Sequence, residues 1–517
     1  MTRSTSRKED PMPPAVAVSA VSPSSSARNA LALTAVCLVA LMFGLEISSV
    51  PVILPTLEQQ LGTGFQDAQW IMNAYTLACT SVLMAAGTLA DRFGRRRMLV
   101  LCLWLFGLAS LACGLAEDAS LLITARFVQG VGAGAMMICQ FAILSHQFRE
   151  PAARARAFAV WGVIAGLGLG FGPMVGALIL AVADWRWVFL VHVPLTLLTL
   201  VLLHVSVQES RDPASHRLDI AGMLTLTLSV FALVYFITQG TENGFGAPAM
   251  LGWAGLSLAA LLLFSLIERR SAHPMFDFSV FRIQRFNGAL MGSIGMNFSF
   301  WPFMIYLPLY FQAGLGYDTL TTGSALLAYT LPTLLVPPLA ERLALRYGAA
   351  RIIPLGLGVM GTGFLAMAAA NGAAHPNIVL VLFSCAMAGV GLALTNSPTT
   401  NTTTGSVSAD RAGMASGIDL SARLITLALN IALMGLVLLL GISHQLAEVL
   451  PETSALDWPA ISQHIAAGKL EVLSSMGLAR ADAQAALRHG AGWAMLFAGV
   501  GACGLAWLSG YFFRRSR

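Results

Sequence analysis

The chain has 517 residues, of which 56% are apolar and only 11% charged, and a net charge of +5. A soluble domain carries roughly 25% charge, and soluble chains divide into separate cores well before this length. The composition therefore excludes an ordinary soluble enzyme, gives the small positive charge no weight as a nucleic-acid signal, and points to many apolar helices in a bilayer.

Residues 1–29, rich in Ser, Pro and Arg without apolar periodicity, read as a disordered cytoplasmic tail. Beyond them, apolar runs long enough to cross a hydrocarbon core of about 20 helical residues recur between polar breaks. They lie near 30–54, 68–90, 97–116, 120–144, 157–182, 187–207, 218–239, 249–267, 287–312, 322–345, 352–370, 376–398, 414–443 and 490–512. In lipid such runs satisfy their backbone only as helices, so the expected fold is an all-α polytopic membrane protein with fourteen spans. No cleavage pattern ends the first run, which reads as an uncleaved anchor. One outside connection is long, 444–489, and its stretch "ARADAQAALRHG" suggests a short surface helix. Cys37, Cys79, Cys102, Cys113, Cys139, Cys385 and Cys503 all sit in apolar runs without metal-ligand spacing. They read as small buried hydrophobes, and no metal or other cofactor is expected.

With the N-terminus inside, 24 of the 30 Lys and Arg fall in inside segments and four outside, while Arg126 and Arg423 lie within spans. That asymmetry places both termini of a multi-pass membrane protein in the cytoplasm. The stretches "GTLADRFGRRRML" (87–99) and "PPLAERLALRYGAARII" (337–353) repeat one span-turn-span pattern. The repeat divides the chain into two six-helix bundles, 30–207 and 287–512, with an inserted pair of linker helices at 218–267 and a cytoplasmic end at 513–517. Repeated halves are typical of transporters, with the substrate site at their interface.

Few ionisable residues lie inside the spans. Glu46 stands eight residues before Leu54, about 12 Å from the outer end of the first span, too deep for a short side chain to reach the interface. Arg126, six residues past Ser120 on an oppositely directed span, reaches about 9 Å and meets Glu46 at similar depth. Intramembrane charges are functional candidates by default. Proton or substrate coupling stands here beside a purely structural ion pair. Asp419 and Arg423, spaced i, i+4, form a candidate second buried pair, equally open to a structural reading. Asp91, Arg92 and Arg95 suit positive-inside anchoring; the acid, which an anchor does not need, adds a gating reading. In the fifth span two glycine rows, 162/166/170 and 168/172/176, flank Pro173 and suit a tight contact between halves. Trp70, Tyr75, Phe300, Trp301, Tyr306 and Tyr310 are candidates for an adaptable substrate cavity, with packing as the alternative for each.

Several stretches carry a resemblance. "GTLADRFGRRR", "LITARFVQGVGAG" (122–134), "GLGLGFGPMVGALI" (166–179), "DWRWVFLVHVP" (184–194), "QWIMNAYTLA" (69–78) and "GMASGIDLSARLITLALNIAL" (413–433) occur in order on successive spans. Together they resemble the major facilitator superfamily, and within it the fourteen-helix drug:proton antiporters of the EmrB/QacA type. The resemblance covers residue 30 to about residue 440. It implies a proton-handling arginine at Arg126, an antiporter motif at Gly168, Gly172, Pro173 and Gly176, and a gating latch at Asp91 with Arg92 and Arg95. The sequence departs from the subgroup pattern at Glu46 (usually Asp), Ser48 (Thr), Pro51 (Asn), His192 (Asn) and Asp419 (Asn). The implied function is export of amphipathic or cationic drugs, driven by the proton-motive force, by a monomer surrounded by membrane lipid. Its partners are a small-molecule substrate and protons, with no nucleic acid. Some relatives use a periplasmic adaptor, and no segment here identifies one. Dedicated export of one metabolite and proton symport are the alternatives.

Overall fold

The computed structural model describes residues 23–62, 64–148, 150–210, 219–271, 278–372, 376–407, 412–449, 458–469 and 479–516. Of the tail expected at 1–29, residues 1–22 lie outside the described residues, as do much of the segment after 449 and the side chain of Asp91, while 23–29 are helical and open the first helix. The described residues are almost entirely helical. In chain order the helices are α1 (Pro23–Gln60), α2 (Phe65–Phe93), α3 (Arg95–Gly114), α4 (Ala119–Gln147), α5 (Pro151–Val182), α6 (Arg186–Leu190), α7 (His192–Ser206), α8 (Ile220–Asn243) and α9 (Pro248–Arg270). They continue as α10 (Gln284–Leu309), α11 (Thr319–Leu335), α12 (Pro337–Tyr347), α13 (Ala349–Asn371), α14 (Ile378–Gly405), α15 (Ala412–Val449), α16 (Trp458–Ala466) and α17 (Arg480–Arg515).

Local chemistry sets several of these ends. The side chains of Asp118, Asp318 and Asn377 accept from the backbone N–H of Leu121, Thr321 and Leu380, capping α4, α11 and α14. Val191 divides the sixth apolar run into α6 and α7, and α11 and α12 meet at a 45° bend just before Pro337. Proline at the start of α12 suits a helix beginning there.

Among the described residues, eleven helices are long and apolar enough to cross a membrane, or twelve if α11 and α12 count as one span. The fourteen expected spans each have helical counterparts, but α2 and α10 fall outside that set. Both carry buried polar residues: Gln69, Asn73 and Thr76 on α2, Ser293, Asn297 and Ser299 on α10. Their polar groups point into protein, where lipid does not penalise them. The stretch 480–491 is not a separate surface helix. It opens α17, with Ala483, Ala486 and Leu487 fully buried.

Helices α1–α7 pack among themselves, as do α10–α15 with α17. Two seams join these halves, α5 against α11 and α2 against α15, and α1 meets α10 between them. This is the pairing that a twofold relation between six-helix halves produces, because it exchanges the second and fifth helices of each half. The inserted α8–α9 hairpin lies over the α2/α15 seam, α8 touching both sides of it.

Candidate functional site

Packing of α1 on α5 comes first, because it fixes the backbone that carries Glu46. A Cβ at Gly172 would lie 1.7 Å from Ser48 Oγ, and one at Gly176 2.9 Å from the Ser49 carbonyl. Gly168 likewise faces the carbonyl of Leu41, and Ser48 Oγ donates to the carbonyls of Gly44 (2.7 Å) and Gly168 (3.0 Å). The row 168/172/176 is therefore a contact inside the first half. The other row faces the second half: Thr330 Oγ1 donates to the Gly170 carbonyl, and Gly166 approaches Leu334. Only one of the two rows joins the halves, correcting the expectation drawn from spacing.

Glu46 is completely buried, and its Oε2 makes no hydrogen bond. Arg126 Nη1, from α4, donates to Oε1, and His192 Nδ1, from the first residue of α7, lies 3.3 Å from Oε2. Arg126 is also fully buried. Its Nη1 donates to Gln129 Oε1 (2.6 Å), its Nε to the Ile71 carbonyl (3.1 Å), and its guanidinium lies over the Tyr75 ring at 4.3 Å. Gln129 follows Arg126 by three residues, so both share a helix face; its Nε2 donates to Ser110 Oγ on α3 (2.9 Å). The His192 ring meets Phe106 edge-on at 5.6 Å, and its Nδ1 is 3.1 Å from the Val188 carbonyl. A carboxylate is thus held between a permanent cation and an imidazole, out of water, at the core of the first half. Sequence reasoning reached Glu46 and Arg126, noted His192 only as a departure from the subgroup pattern, and missed Gln129 and Ser110.

The second half holds its own polar cluster. Ser293 Oγ donates to Asp419 Oδ1, and Arg423 Nε to Oδ2 at 3.0 Å. Arg423 also reaches Asn396 Oδ1 (2.7 Å) and Thr400 Oγ1 (3.0 Å) on α14. The pair Asp419–Arg423 therefore ties α15 to α10 and α14.

Where α1 and α10 finish, the halves are sealed by polar contacts across the seams. Gln69 Nε2 on α2 donates to Tyr306 OH (3.0 Å) and to the Ile431 carbonyl (3.1 Å), to which Tyr306 OH also donates. Gln312 Nε2 donates to the Val52 carbonyl at 3.1 Å. Toward the other end the α5/α11 seam loosens, and a Cβ at Gly162 would meet only open space.

The six aromatic candidates do not surround one cavity. Trp70 packs at a tilt against Phe231 (5.7 Å) and Tyr235 (5.9 Å) of the inserted hairpin. Tyr75 lies under Arg126. Phe300 stacks flat on Tyr329 at 4.0 Å, Tyr306 belongs to the seal, and Tyr310 is buried in a π-helical turn (Tyr310–Gly314) continuing α10. Trp301 is only partly buried and packs against core clusters of both halves. At the arginine-rich loop, Arg92 is exposed beside Phe93, while the backbone N–H groups of Arg96 and Arg97 donate to the Glu209 carboxylate, each at 3.1 Å. The Arg95 N–H donates to the Ser210 carbonyl at 3.0 Å. An acid at the start of α3 is favoured by the helix dipole and its free N–H groups.

Comparison with known proteins gives the arrangement a family. The model of the Major Facilitator Superfamily matches residues 36–429. The multidrug resistance protein Stp of Mycobacterium tuberculosis is 33% identical over 416 residues, 80% of this chain and 77% of that protein. The puromycin resistance protein pur8 of Streptomyces alboniger is 30% identical over 400 residues, covering 77% of this chain and 79% of pur8. Among solved structures, a bacterial homologue of the human lysosomal transporter Spinster, inward-facing and unoccupied, has TM-score 0.65 at 17% identity, over 96% of this chain and 99% of that one. A D-xylose–proton symporter gives TM-score 0.57 at 15% identity, over 86% and 95%. These structures share the fold, and the curated relatives are efflux and resistance proteins rather than enzymes. With a family model matching residues 36–429 and relatives matched over 77–80% of it, this chain belongs to the Major Facilitator Superfamily of membrane transporters.

Proposed function

We propose that the chain is a proton-coupled exporter of amphipathic or cationic toxic compounds, with fourteen spans and both termini in the cytoplasm of a bacterial inner membrane. The observation that carries the reading is Glu46, fully buried between Arg126 and His192. A carboxylate in that position is stable only while its cation partner is engaged, so a proton that neutralises it changes how strongly α1 and α4 hold together. The arrangement sealed near Gln69, Tyr306 and Gln312, and loosened toward Gly162, is the form open to the cytoplasm. Drug enters between the halves beside Trp301; a proton taken up from the outside and released inside drives the return of the cycle. Each charge crossing the membrane contributes about 2.3 kcal/mol per 100 mV, added to the pH gradient.

Kinship with proteins named for multidrug and puromycin resistance supports a toxic-compound substrate. In the same reading, Asp91 with Arg92 and Arg95 latches the alternative, outward-open form, and Asp419–Arg423 holds the second half rigid. The test is accumulation of a lipophilic cation in proteoliposomes before and after the pH gradient is collapsed with an ionophore. Accumulation that stops on collapse supports the reading; accumulation that continues unchanged refutes it.

A further inference from the structure

The surroundings of Glu46 leave few routes for a proton to reach it. The residue has no exposed surface, Oε1 is taken by Arg126 and Oε2 faces His192. Arginine keeps its proton under all relevant conditions, so it cannot pass one on. Imidazole can. Both groups near His192 Nδ1, the Val188 carbonyl at 3.1 Å and the carboxylate at 3.3 Å, are acceptors, so the network assigns the proton of the neutral ring to Nδ1. That leaves Nε2 as a lone pair, fully buried and without a hydrogen-bond partner. A buried acceptor without a partner calls for a functional explanation.

Resting on the proton-coupled reading above, we infer that His192 is the proton relay to Glu46: a proton is taken up at Nε2 while the Nδ1 proton passes to Glu46 Oε2. The balance is simple. One O–H bond of a hydronium ion breaks as one N–H bond forms at Nε2, one N–H bond breaks at Nδ1, and one O–H bond forms on Glu46. The site gains a single proton, and the ring ends neutral as the other tautomer. The new Oε2–H then donates to Nδ1, and the Val188 carbonyl loses its donor. Proton arrival is thereby felt at the junction of α6 and α7, one residue from His192.

The other charged or titratable groups of the site set the electrostatics of this step. Arg126 from α4 supplies one fixed positive charge, bound to Glu46 Oε1. Tyr75 from α2 lies under that guanidinium, and Cys113 from α3 donates to Gln129 Oε1 at 3.8 Å. Glu46 on α1 is the acid that receives the proton. The related subgroup motif has Asn where this chain has His192, so the relay is a feature of this chain.

His192→Asn separates relay from clamp, because its amide N–H replaces the Nδ1–H donor yet cannot exchange a proton between two ring nitrogens. His192→Gln serves as a second variant should Asn fold poorly. The experiment follows the protonated-carboxyl infrared band of the purified full chain after a rapid pH jump, the band being assigned by its loss in Glu46→Gln. The relay predicts that protonation of Glu46 in His192→Asn slows by roughly a hundredfold or more, in the range that positioned acid–base groups contribute. A clamp would alter the equilibrium midpoint and leave the rate unchanged, so an unchanged rate overturns the inference while the coupling reading stands. If the wild type shows no Glu46-dependent band after the pH jump, the coupling reading falls, and the relay with it.

Discussion

Gly435→Ala should open the sealed end of the transporter. A methyl group there would lie 1.7 Å from Gln69 Nε2 and 3.1 Å from Tyr306 OH. The backbone of α15 does not need to move, because the obstructed atom is the tip of a flexible side chain. Gln69 swings away instead and loses its donations to Tyr306 OH and the Ile431 carbonyl. Each buried hydrogen bond contributes about 0.5–1.5 kcal/mol net, so the sealed form loses about 1–3 kcal/mol. Alanine in a helix interior is favourable relative to glycine, so the fold itself does not suffer. The expected result is a shift of about 5- to 150-fold toward the form open at that end. Spin labels at Glu117 and Leu320, both exposed and on opposite halves, report it as a longer distance population in double electron–electron resonance. Gln69→Ala should give the same shift, and the double variant no more than either alone, because both remove the same bonds. An unchanged distance distribution in Gly435→Ala would refute the assignment of this contact as the seal.

Other expectations follow from the same geometry. Gly172→Ala drives a methyl into Ser48 and should lower thermal stability by about 1–3 kcal/mol, with part of the loss recovered in Gly172→Ala/Ser48→Ala; equal melting temperatures would argue against a tight α1/α5 contact. Arg126→Ala leaves a carboxylate buried without its cation and should cost about 3–5 kcal/mol, read as a lower melting temperature of the purified protein. Cysteines introduced at 460 and 468 should react with an impermeant maleimide from outside intact cells, and cysteines at 92 and 97 only after permeabilisation; the reverse pattern would overturn the proposed topology.

The deepest feature was readable because helix geometry is regular. Counting 1.5 Å per residue from the ends of two apolar runs places Glu46 and Arg126 at comparable depth, and the structure joins them. Gln129 was within reach of the same reasoning, three residues beyond Arg126 on the same face. His192 was not: its approach to Glu46 depends on the break at Val191 and on α7 packing against α1, neither of which leaves a periodic signal. Spacing disclosed the glycine rows of α5 as close-contact surfaces but could not say against what. One row serves α1 and the other α11, a matter of tertiary arrangement. The same limit applies to the aromatics. Trp70 and Tyr306 are large apolar side chains in spans, yet one anchors the inserted hairpin and the other closes a seam. On α2 and α10 the apolar signal is weakened by buried polar residues, of which Gln69 and Ser293 find partners on other helices.

The central claim is that Glu46 carries the coupling proton. Glu46→Gln fixes the site in its neutral form, and Arg126 keeps Gln129, the Ile71 carbonyl and the Tyr75 ring as partners, so the variant should fold and insert. The measurement is uptake of a lipophilic cation into proteoliposomes, with and without an imposed pH gradient, for wild type and Glu46→Gln side by side. The account predicts that the variant retains downhill exchange while its gradient-driven accumulation falls to the level of empty liposomes. Undiminished gradient-driven accumulation by Glu46→Gln would contradict it and remove Glu46 from the mechanism.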